Sequence, residues 1–111
     1  MGYEVVMTQL AKEQLDAFLR YLLLELQNEQ AASNLLEDAM DLQESMTFVA
    51  GSLPLCQDPD LFQRGIRKIS FTKHRYLWLY RIEGHTAYIM AMYHELQDYQ
   101  NLFKKNIDAK Q

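Results

Sequence analysis

A chain of 111 residues that is 49% apolar is sized for one domain, able to bury roughly two-thirds of its unfolded surface, and is too hydrophobic for disorder. Its longest apolar cluster, residues 17–26, is broken by Arg20 and Glu25, which excludes a transmembrane helix. Its one cysteine, Cys56, excludes an internal disulfide and a thiolate metal cluster. A start without a basic, apolar signal segment and the reducing context of a lone thiol point to the cytoplasm.

The formal charge of −4 hides a split. Residues 1–62 hold 2 basic and 11 acidic side chains, whereas residues 63–111 hold 9 basic and 4 acidic. Such a division suggests either a basic working surface or an acidic helical pair that solvates itself, and the acidic total argues against a general nucleic-acid binder.

In chain order, residues 4–8 read as a short strand. Thr8 can then cap a helix whose apolar positions, Leu15, Phe18, Leu19, Leu22, Leu23 and Leu26, recur at spacings of three and four. Asn28-Glu29-Gln30 interrupts that stripe. A second helix follows, with Ala32, Leu35, Leu36, Ala39, Leu42, Met46 and Val49 on one side and Gly51 as its C-cap. So short a connector predicts an antiparallel helical hairpin. Residues 51–63 contain both prolines and read as a loop. Residues 66–72, 76–82 and 86–93 read as strands, and 95–105 as a closing helix with acids in its first turn and lysines in its last. The expected fold is α+β, a helical hairpin packed on a small antiparallel sheet in the order β-α-α-β-β-β-α, as one domain over residues 1–111.

A two-residue turn at Gly84-His85 sets an expected hairpin register. It pairs Trp78 with Ala91, Tyr80 with Ile89 and Ile82 with Ala87 on a helix-facing side. On the other side it pairs Leu77 with Met92, Leu79 with Met90, Arg81 with Tyr88 and Arg75 with His94. That second side would be an apolar floor rimmed by cations and a histidine. Either a partner or the closing helix, through Tyr99, Leu102 and Phe103, should cover it.

The ordered set Tyr3-Glu4-Val5, Thr8-x-x-Ala11, Gln30-Ala31-Ala32, Arg67-Lys68-Ile69, Tyr76-Leu-Trp-Leu-Tyr80-Arg81-Ile82 and Ile89-Met-Ala-Met-Tyr93-His94-x-x-x-Asp98-Tyr99 resembles the RelE/ParE superfamily of bacterial toxins, the plasmid-stabilisation type. The resemblance covers residues 3–103. It implies the toxin of a type II toxin–antitoxin system, bound and silenced by a cognate antitoxin and needing no cofactor or metal.

The superfamily acts in two ways. Its RelE-like members are ribosome-dependent mRNA interferases, and the resemblance maps their catalytic set onto Lys68, His94 and Tyr99. At the third-strand arginine this chain departs from the pattern, with Tyr76-Leu77 in its place, so that Arg81 or Arg75 would have to substitute. The ParE-like branch lacks that set and inhibits DNA gyrase, and the acidic total charge fits it somewhat better. The expected antitoxin- or target-binding residues are Arg75, Leu77, Leu79, Met90 and Met92. His94 is the natural acid–base group, or else a helix cap. His74 and His85 read as exposed turn residues, and Cys56 as an unreactive loop thiol.

Overall fold

The computed structural model describes residues 2–109, so the extreme ends of the expected domain lie outside the described residues. The elements are β1 (Glu4–Met7), α1 (Gln9–Arg20), a π-helical turn (Tyr21–Glu25), α2 (Glu29–Val49), a 3-10 turn (Ala50–Ser52), α3 (Pro59–Gln63), β2 (Ile66–Ser70), β3 (Tyr76–Glu83), β4 (Thr86–His94) and α4 (Tyr99–Ala109). The sheet order is β1-β4-β3-β2, with β1 parallel to β4 and the other pairs antiparallel.

Local chemistry explains the helix starts. The Thr8 hydroxyl accepts from the Ala11 amide at 3.4 Å and donates to the Ile89 carbonyl at 2.8 Å, so one side chain begins α1 and fixes it to β4. The Asn28 side chain accepts from the Ala31 amide at 2.9 Å and begins α2. Between them the chain has no glycine to stop α1. It widens into the π turn and closes through Gln27, which takes a left-handed φ of 48°.

Gly51 does not cap α2. It lies within the 3-10 turn, where a Cβ would collide with the Tyr3 hydroxyl. The expected 51–63 loop also contains α3, begun by Asp58 with Pro59 following.

The hairpin packs on one side of the sheet. Trp78 and Tyr80 from β3 and Ala87, Ile89 and Met92 from β4 are buried there with Leu35, Ala39, Leu42 and Met46 of α2, while Tyr76 and Ile82 are partly buried. The Trp78 ring meets Phe71 edge-on at 4.9 Å. The Tyr80 hydroxyl donates to the Ala50 carbonyl at 2.6 Å, and burial pushes its pKa up to about 12. Each such side chain contributes about 1.5–3 kcal/mol by leaving water. Leu36, expected on this buried stripe, is instead 42% exposed.

Three other expectations about β3, β4 and the closing helix need correction. The register holds from Glu83–Thr86 to Tyr80–Ile89, then shifts by one residue between Leu79 and Tyr80. Leu79 therefore pairs with Ala91, Trp78 with Met92, Leu77 with Tyr93 and Tyr76 with His94, replacing Trp78–Ala91, Leu79–Met90, Leu77–Met92 and Arg75–His94. Met90 is the extra residue of a β-bulge. Its physical reason lies at the end of β1, which stops at Met7 opposite Ile89 as the chain turns into α1. The Met92 amide is satisfied instead by the Gln14 side chain of α1, at 2.7 Å.

The second correction follows from the bulge: Met92 belongs to the hairpin-side core rather than to the opposite floor. The third concerns the closing helix, which starts at Tyr99 and not at Glu95. Residues 95–98 form a turn held by the His94 ring Nδ1, which accepts from the Leu96 amide at 3.1 Å, and by the Gln97 side chain, which accepts from the His94 amide at 2.8 Å.

Candidate functional site

Opposite the hairpin, β3 and β4 present Leu77, Leu79, Ala91 and Tyr93, and β2 adds Ile66. α4 lies across them through Phe103, with Tyr99, Leu102 and Ile107 packed beside it. Leu77 and Leu79 are buried by this cover, and Met90 is half-buried at its margin. Two polar contacts fasten the helix. Lys104 donates to Asp58 at 2.8 Å, and Asn106 donates to the Tyr93 hydroxyl at 2.7 Å. The Lys104 hydrogen bond, with the Leu61 amide second, holds the Asp58 carboxyl below its usual range.

The start of α4 and the edge strand β2 enclose a cavity of about 290 Å³, lined by Leu55, Cys56, Gln57, Lys68, Tyr99 and Gln100. The Lys68 ammonium sits 5.8 Å from the centre of the Tyr99 ring, a cation–π distance. Cys56 is buried in the wall, and burial pushes its thiol up against the opposing pull of Lys68, so it is not a ready thiolate.

Arg81 lies on this same face, paired with Ile66 of β2 and Tyr88 of β4. Its guanidinium is engaged by Glu83, and its Nε is buried without a partner. Arg75, in the turn before β3, pairs with Glu95 beyond β4.

His94 lies elsewhere. Its cross-strand partner is Tyr76, whose ring it meets edge-on at 5.3 Å, and Tyr76 packs with Phe18 and Phe71 in the hairpin-side core. The bulge at Met90 thus puts His94 on the hairpin side, while Lys68, Arg81 and Tyr99 are on the α4 side. Of the expected catalytic set, the structure brings Lys68 to Tyr99 and separates His94 from both.

His85 is exposed in the hairpin turn, where Gly84 supplies φ 60° at the first central position, as a type II′ turn requires. His74 is not a free turn residue. Its Nδ1 lies 2.7 Å from the Asp38 carboxylate, and the Lys73 amide donates to the same oxygen at 3.0 Å. Asp38 is only 3% exposed. This clasp between α2 and the β2–β3 turn was missed in the sequence, although Asp38 falls one helical turn from both Leu35 and Leu42 on the buried stripe. A carboxylate there needs a buried donor.

Among the described residues no group of three His, Cys, Asp or Glu side chains is placed to hold a metal, and no helix is long and apolar enough to cross a membrane.

The hairpin, the four-stranded sheet and the crossing helix define a ParE-like α+β fold. A chain of the solved structure described as "Chromosomal ParDE TA system from P. aeruginosa" is similar, with a TM-score of 0.65 and 18% identity over 83% of this chain and 95% of that one. No family model matches the chain, and no curated protein does.

Proposed function

We propose that this chain is the toxin of a type II toxin–antitoxin pair and acts in the cytoplasm as a binding inhibitor of DNA gyrase, silenced by a cognate antitoxin. The ParE-like fold and its similarity to a chain of a ParDE toxin–antitoxin system support the general class. The observation that carries the choice between branches is the bulge at Met90. Driving a ribose 2′-hydroxyl onto its phosphate needs a base, an acid and a cation converging on one phosphate. Here the imidazole of His94 and the cations of Lys68 and Arg81 lie on opposite faces of the sheet. Arg81, moreover, already has its charge opposed by Glu83.

Binding inhibition asks only for a complementary surface. The exposed Lys68 with the half-buried Tyr99 and Gln100 around the cavity supplies cation, ring and amide for it. Arg75 and Met90 stay partly accessible to a partner, whereas Leu77 and Leu79 become so only if α4 gives way. An antitoxin segment that used those leucines would take the place of α4. Met92 faces the hairpin and takes no part.

One observation favours the alternative, a RelE-like mRNA endonuclease using Lys68, Arg81, His94 and Tyr99: the approach of Lys68 to Tyr99. Induction of the chain alone, without antitoxin, separates the readings. Gyrase inhibition gives filamentation and DNA-damage signalling with intact transcripts, unaltered by His94→Gln. Cut transcripts that disappear with Lys68→Ala or His94→Gln would overturn the choice of branch, and harmless induction would overturn the toxin reading itself.

A further inference from the structure

The solvent face of α2 combines two properties seldom left together on a free helix. Leu36, Met40 and Phe48 are 42%, 62% and 77% exposed, on the side away from the buried Leu35, Ala39, Leu42 and Met46. Glu37, Asp41 and Glu44 are exposed among them. Glu29–Val49 contains no lysine or arginine, and none of these three carboxylates pairs with a cation among the described residues. Glu37 and Asp41 are four apart and Asp41 and Glu44 three apart, spacings at which like charges on a helix repel. The face therefore offers apolar anchors set in an unneutralised anionic rim.

We propose that this face is a docking surface for a cationic amphipathic helix of another protein. The apolar side of that helix would cover Leu36, Met40 and Phe48, with its lysines or arginines reaching the three carboxylates. The anchors span about 18 Å along the helix axis, so three to four turns of partner helix suffice. The sign of the charge excludes nucleic acid. A second copy of this chain is a poor occupant, because its described helices offer no free cationic face. α1 carries only Lys12 and Arg20, the latter paired with Asp16; α2 and α3 carry no lysine or arginine; and α4 is packed on the sheet with Lys104 held by Asp58. The proposal goes beyond the toxin reading and does not depend on it, since no growth phenotype enters its test.

The test uses the full chain and a fluorescein-labelled 16-residue Leu/Lys amphipathic peptide, with its Leu/Glu counterpart as control, in fluorescence anisotropy near physiological salt. The expected result is saturable 1:1 binding of the Leu/Lys peptide alone. Either Glu37→Lys with Asp41→Lys, or Met40→Gln with Phe48→Gln, should weaken it about tenfold or more, as loss of central contacts does. An equal charge change on α1 and the π turn, Glu13→Lys with Glu25→Lys, should weaken it less than about threefold, as remote rim charges do. All four α2 positions are exposed, and circular dichroism checks that each variant folds. Equal weakening by both charge pairs, or no binding, overturns the proposal. So does a wild-type dimer in sedimentation that Phe48→Gln dissolves, which would assign the face to self-association.

Discussion

On its hairpin side the sheet meets two helices that share a continuous core, with Trp78, Tyr80 and Ile89 wholly enclosed. On the other side it meets the eleven-residue helix α4, whose main buried anchor is Phe103 and whose polar ties are Lys104 to Asp58 and Asn106 to Tyr93, together with the short helix α3, whose Leu61 is wholly buried there. One face is built from the hairpin, the other from α3 and a C-terminal helix, and that C-terminal helix could leave without unravelling the first face. The contrast teaches where stability and function are separated: the candidate site lies at the start of the removable cover, not beneath the hairpin.

The contrast can be broken most directly by deleting an anchor from each face. Trp78→Ala should lower global stability by about 3–5 kcal/mol, the range for emptying a large aromatic site, read by denaturant titration of the helical circular-dichroism signal. Phe103→Ala should lower it less, because undocking of α4 caps the loss, and should speed amide exchange in α4 before anything else. Equal losses of global stability would mean that both faces unfold as one unit and that the cover is not separable.

Alkali should act chiefly on the hairpin face. Tyr80 ionises at about 12 when folded, against 10 for an ordinary tyrosine. Above pH 10 the unfolded chain loses this proton and the folded chain keeps it, so stability falls as pH rises from 10 towards 12. A shift of that size is worth about 2–3 kcal/mol. Tyr76 and Tyr93, also raised by burial, push in the same direction. Tyr80→Phe should flatten much of the alkaline slope while forfeiting about 1 kcal/mol from its bond to the Ala50 carbonyl. An unchanged slope would remove Tyr80 from the explanation.

A smaller effect belongs to the clasp between α2 and the β2–β3 turn. Asp38→Ala leaves the Lys73 amide without its acceptor and should cost about 1–3 kcal/mol, with faster exchange of that amide. His74→Gln should cost less, since the carboxylate keeps the Lys73 amide. A reversed order would make the imidazole, rather than the backbone, the main partner of Asp38.

Much of the fold could be read from residue types whose effect is local. Thr8 caps α1 because its hydroxyl reaches the amide three residues on, and Asn28, read from the sequence only as a break in the stripe, begins α2 in the same way. Gly84 sets the hairpin turn because it accepts a positive φ. The bulge could not be read, because Met90-Ala91-Met92 is apolar at every position and a slip of one residue leaves no polar marker on the wrong face. What accompanies it lies far away in sequence: β1 ends opposite Ile89, and Gln14, seventy-eight positions from Met92, accepts from the Met92 amide. That single slip moved Met92 and His94 across the sheet, so an error of one residue in register became an error about which side groups share. The late start of α4 was hidden for the opposite reason: Glu95-Leu96-Gln97-Asp98 is acceptable helix sequence, and only the His94 and Gln97 side chains turn it aside.

The finest test of the comparison is the tether Asp58. Its carboxylate serves both neighbours of the cavity, accepting from the Asp60 and Leu61 amides at 3.0 and 3.1 Å to start α3 and from Lys104 to hold α4. Because these bonds favour the charged form, the folded carboxyl binds its proton less readily than the unfolded one, whose ordinary value is 3.8. Its contribution is therefore complete above that value and is lost as pH falls through the lower folded one. Acid below pH 3.8 should loosen α4 and α3 together, seen as faster exchange in both, while the fluorescence of Trp78 on the other face holds steady. Asp58→Asn should loosen both already at pH 7 and remove the acid dependence. If acid shifts Trp78 fluorescence in step with exchange in α4, the two faces communicate, and the separation drawn between them fails at its most sensitive point.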